Sequence, residues 1–142
     1  MNSNKFLPAW IAGSAVLFLL GYLIYGMLLA DFMKNHSGTA SGVMRDQKDF
    51  MIWLIAVSNL VYGFLMTYIF GRAGVSSAGG GFALGAIMGL FTSLSTDLLN
   101  YATSNLNTGS SIAADVVAFT ILAGLAGLVI GLVKGSGKKA TA

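Results

Sequence analysis

The sequence predicts an all-α integral membrane protein, a four-helix transmembrane bundle in which residues 1–142 form a single transmembrane domain. Three observations lead there. Apolar stretches run from Pro8 to Ala30, Phe50 to Phe70, Gly81 to Tyr101 and Ile112 to Val133. Each holds about 20 residues, which at about 1.5 Å per residue gives roughly 30 Å of helix, the thickness of a hydrocarbon core. Only two charged side chains, Asp97 and Asp115, fall inside them. The chain as a whole is 56% apolar and 9% charged, against roughly a quarter charged in a soluble domain. Spans of this length must be helices, because hydrocarbon offers no water to backbone groups left unpaired.

Pro8 suits the first turn of the first span, where its missing N–H would have no partner anyway, and Trp10 follows as an interfacial anchor. Lys5 ahead of the span gives it the look of a signal peptide. The apolar run exceeds the roughly 7 to 15 residues of an h-region, so it reads as a retained helix. Asp46 and Asp49 stand three apart before Phe50, an acidic version of the capping box that would start the second helix near Asp46. Trp53 then falls at headgroup depth. Gly71 and Gly74 end this helix, Ser76 or Ser77 caps the third, and Ser110 or Ser111 caps the fourth. Lys5, Arg72, Lys134, Lys138 and Lys139 gather at one membrane face, and Lys34, Arg45 and Lys48 at the other. That asymmetry predicts cytoplasmic termini, with the Asp31 to Asp49 loop and His36 outside.

The third span carries the most specific pattern. Gly81, Gly85, Gly89, Ser93 and Asp97 recur every four residues and so form one ridge of a helix. Small residues on such a ridge let two backbones approach closely. A matching row, Asp115, Phe119, Ala123, Gly127 and Gly131, makes the third and fourth helices the expected tight antiparallel pair. Asp97 would then face a neighbouring helix, either as a hydrogen-bonded structural group, with donors from Thr96, Asn100, Tyr101 or the start of the fourth helix, or as a functional contact for an ion, proton or ligand. Asp115, in the first turn of the last span, is placed to interact favourably with the helix dipole. Asn59, in mid-span, needs a partner and reads as interhelical glue. Tyr22, Tyr25, Asn59, Asp97, Asn100 and Asp115 make up the candidate polar cluster within the bundle.

The chemistry excluded is broad. Without cysteine there are no disulfides, thiolate nucleophiles or cysteine zinc sites. Glutamate is absent and the only histidine is His36, outside the spans. No nucleophile-and-base pair, metal-ligand set or phosphate loop can be assembled, so no catalytic residue, metal or cofactor is expected. The net charge of +3 comes from flanking residues rather than a basic stripe, which argues against nucleic acid.

With Gly-Tyr-Leu-Ile-Tyr-Gly at Gly21 to Gly26 and Asp97, Leu98, Asn100, Ala102 and Thr103 closing the third span, the chain resembles small bacterial four-span proteins of the domain-of-unknown-function type. The resemblance implies a bacterial inner-membrane protein and brings no catalytic residues with it. The expected function is non-enzymatic: a homo-oligomer or accessory subunit whose partners are the lipid bilayer and other membrane proteins. The alternative is a small proton or ion transporter or channel using Asp97 and Asn100.

Overall fold

The computed structural model describes residues 3–136; Lys138 and Lys139, which contribute to the expected orientation, lie outside the described residues. Helix α1 (Ser3–Leu23) runs into a π-helical turn (Ile24–Leu28) and a short α2 (Ala30–Asn35). A 3-10 turn (Gln47–Asp49) precedes α3 (Ile52–Arg72), α4 (Ala78–Thr103) and α5 (Gly109–Gly135). The fold is all-α, with four helical segments long and apolar enough to cross a membrane: Lys5–Leu28, Ile52–Arg72, Ala78–Thr103 and Gly109–Gly135. Large apolar side chains are exposed on all of them, among them Leu19, Val61, Phe91 and Val117. Such faces suit hydrocarbon rather than water.

Several element ends differ from the sequence expectation. Helix α1 begins at Ser3, so Pro8 stands inside the helix rather than in its first turn. Trp10 fastens α1 to α3, its Nε1 donating to the Leu60 carbonyl at 2.8 Å and its ring meeting Phe64 edge-on at 5.5 Å. The first span does not continue evenly to Ala30, because the π turn interrupts it at Ile24. Asp46 opens only the 3-10 turn, and extended backbone at Phe50 separates that turn from α3, whose N-cap is Met51 with no side-chain cap. Helix α5 starts at Gly109, ahead of Ile112. Its N-cap is Thr108, with Ser111 as the reciprocal partner of a capping box. Asp115 therefore lies in the second turn rather than the first, beyond the strongest reach of the dipole.

Other ends follow the expected punctuation. Past α3, Gly74 takes a positive φ of 71° and Val75 N–H donates back to Phe70 O at 3.0 Å, the hydrogen-bond signature of a Schellman stop. Ser77 accepts from the Gly80 N–H at 3.2 Å and caps α4.

Helices α4 and α5 lie antiparallel along most of their length. α1 packs on α5 and, on its other side, on α3; α3 touches α4 and α5 only lightly. Each main contact is centred on a glycine. A Cβ on Gly85 or Gly81 would strike the backbone of α5, one on Gly63 would strike Ser14 of α1, and one on Gly13 would crowd Ile130 of α5. Ala9, Leu17, Met66, Phe70, Leu122, Ala123, Ala126 and Ile130 form the core between them. Phe70 is fully buried and reaches the glycine of α5 at Gly127.

The two loops at the far end from the termini are tied together. Gly38 and Ala40 N–H donate to the carbonyls of Leu106 and Asn105 at 2.8 and 3.1 Å, and Thr108 Oγ1 donates to His36 O at 2.6 Å. His36 also stacks on Phe32 at 4.1 Å. The Asp31 to Asp49 connection is thus pinned over the ends of α4 and α5.

Candidate functional site

The geometry of the α4–α5 pair determines what meets Asp97. Gly81 lies against Gly127 and Gly131, Gly85 against Ala123 and Gly127, and Gly89 against Phe119, Thr120 and Ala123. Each step of four along α4 is matched by a step of four back along α5. Continued past Gly89, the register sets Ser93 beside Asp115 and Phe119, and Asp97 between Ser111 and Asp115. The buried residues of α4 are Gly81, Gly85, Gly89, Ser93 and Asp97, all on this one ridge.

At the end of the ridge the register seen at Gly81, Gly85 and Gly89 brings Asp97 of α4 and Asp115 of α5 to facing positions. Tyr25, carried by the π turn of the first span, joins them, its hydroxyl donating to the Asp115 main-chain carbonyl at 3.4 Å. Asp97 is 9% exposed, and its Oδ2 has no hydrogen-bond donor. An ionised carboxylate is acceptor-only, so two of them facing each other cannot satisfy one another. Ser93 and Ser111 do not help. Ser93 Oγ donates to Gly89 O at 2.9 Å, and Ser111 Oγ to Thr108 O at 2.9 Å.

Of the six residues in the sequence-derived cluster, Asp97, Asp115 and Tyr25 meet. Asn100 is half-buried one turn beyond Asp97, and its main-chain carbonyl accepts from Ser104. Tyr22 does not join them; it is 59% exposed and lays its ring over Gly26. Asn59 is not interhelical glue, because its amide donates to Ile55 O of its own helix at 2.7 Å. Thr96 likewise turns back to Thr92 O at 2.9 Å. The π turn that delivers Tyr25 has no signature in the composition of Gly21 to Gly26, because which turn of a helix accepts an extra residue depends on what it packs against.

Among the described residues there is no group of three or more His, Asp or Glu placed to hold a metal ion. Comparison with family models, with curated proteins and with solved structures gives no match for this chain.

Proposed function

We propose that this chain is a multi-pass protein of a bacterial inner (plasma) membrane, without catalytic activity, that acts as an oligomer-forming or accessory component. The observation that carries this reading is the outward face of α4. With its glycine ridge committed to α5 and little contact to α3, α4 leaves an open groove lined by Ile87, Met88, Phe91, Thr92, Ser95 and Thr96. Between helices in lipid there is no hydrophobic driving force, so small and hydroxyl-bearing residues mark the surfaces that associate. A second copy of the chain, related by a two-fold axis, would bring the two α4 faces together.

Because the chain lacks cysteine, the test is clean. Ser95→Cys in native membranes is expected to give a disulfide-linked dimer on oxidation, while Leu19→Cys, exposed on α1, is not. Equal cross-linking at both positions, or none at Ser95→Cys, would count against this interface.

The orientation belongs to the same proposal. Lys5, Arg72 and Lys134 share one end of the bundle and Lys34, Arg45 and Lys48 the other, and it is Lys138 and Lys139, following Lys134 in the sequence, that tip the balance and support cytoplasmic termini. Ser41→Cys, in the exposed loop, should react with an impermeant maleimide added to intact cells. Reaction only from the cytoplasmic side would reverse the topology.

Proton or ion transport through Asp97 and Asn100 is the second reading, and the buried Asp97, set opposite Asp115 by the α4–α5 register, is what favours it.

A further inference from the structure

We propose that Asp97 and Asp115 together hold a single monovalent cation, a proton or an alkali ion, beneath the π-helical turn that carries Tyr25. This inference is independent of the oligomer reading, which concerns the opposite face of α4.

Geometry makes the argument. The α4–α5 register sets Ser111 and Asp115 of α5 against Asp97, and Tyr25 of the first span reaches the Asp115 main-chain carbonyl; no base is among them. The described bases lie elsewhere: Lys5, Arg72 and Lys134 at the end of the bundle near the termini, and Lys34, Arg45 and Lys48 exposed in the loop segment, where Lys48 faces Asp46 at 3.9 Å. A buried carboxylate set against a second, half-buried one without a partner cation is costly, and the cost is relieved by moving apart, by water, or by one shared positive charge. Moving apart is restricted, because the helices bearing them are in backbone contact at Gly81, Gly85 and Gly89. Water has little access to Asp97, nine-tenths buried with an Oδ2 that no donor reaches.

The third group fits a cation site as well. The Tyr25 hydroxyl donates to the Asp115 main-chain carbonyl at 3.4 Å, which brings a further oxygen from the first span beside Asp115. A π turn at this position is a further pointer, since such turns collect at functional sites.

Infrared spectroscopy of the wild-type protein decides the question without any variant. The chain has five acidic side chains, all Asp, and Asp31, Asp46 and Asp49 are exposed. In sodium-free D2O buffer at neutral pH the expected spectrum contains a protonated-carboxyl C=O stretch. A band unmoved by added NaCl or LiCl identifies the cation as a proton. A band that fades as salt is added, with a rise in Tm not reproduced by choline chloride, identifies an alkali ion. Asp97→Asn and Asp115→Asn should each remove the band, and Asp46→Asn should leave it. A wild-type spectrum without the band, together with a Tm indifferent to sodium, lithium and potassium, would overturn the proposal.

Discussion

Gly85→Ala should destabilise the folded protein by about 2 kcal/mol although it adds one methyl group, in line with the cost of overpacking a close contact. The new Cβ would collide with the Ala123 carbonyl and lie 3.1 Å from Gly127 Cα. These are backbone atoms, which no rotamer change moves aside, so the helices must separate. Separation also loosens the neighbouring contacts of Gly81 on Gly127 and of Gly89 on Ala123. Helix propensity works in the other direction, favouring Ala over Gly by about 1 kcal/mol, so the net loss measures the contact after that offset. Leucine at Gly85 or Gly89 should be worse, whereas Leu84→Ala should cost less. The decisive control is Gly79→Ala, in the first turn of α4 with nothing within 4 Å of the added Cβ, which should raise stability by about 0.5 to 1 kcal/mol. Thermal melting in detergent reads all of these. A Gly85→Ala protein that melts like wild type would mean that α4 and α5 are not held at backbone contact.

What could be read from the sequence was whatever depends on one helix at a time. Hydropathy located the spans, and a period of four located the ridge ending at Asp97, because both are properties of consecutive residues. Features set by two elements were not legible. Composition pointed to Ser110 or Ser111 as the cap of the last helix, and the structure's use of Thr108 instead coincides with its bond to His36 O across the loops. Tyr22 and Tyr25 sit three apart, near enough to share a helix face, and only the π turn separates them, sending Tyr25 to Asp115 and leaving Tyr22 outside. Asp115 reads as a residue tuned to a helix dipole until the earlier start of α5 moves it down the helix and opposite Asp97. Asn59 shows the converse error. A polar side chain in mid-span invites an interhelical partner, yet a carbonyl four residues back in its own helix was enough.

The sign of the interaction between Asp97 and Asp115 provides the last expected result, through a double-mutant cycle with Asn at each position. If a cation bridges the carboxyls, either single substitution removes one arm of the bridge. Each should then lower stability by about 1 to 3 kcal/mol at neutral pH, as loss of a charge-assisted hydrogen bond does. The double variant should lose less than the sum, with a coupling in the range of about 0.5 to 3 kcal/mol. The opposite pattern belongs to a bare pair. Two unit charges about 4 Å apart repel by about 4 kcal/mol at an effective dielectric constant of about 20, so without a bridging cation either substitution relieves repulsion and stabilises the fold, and the second Asn adds little. Asn suits both positions because it keeps the shape of Asp and cannot hold the charge. Measurement at one protein concentration keeps self-association from entering the comparison. A stabilised Asp97→Asn protein would leave the acid pair as an uncompensated strain in the bundle and remove the cation from its centre.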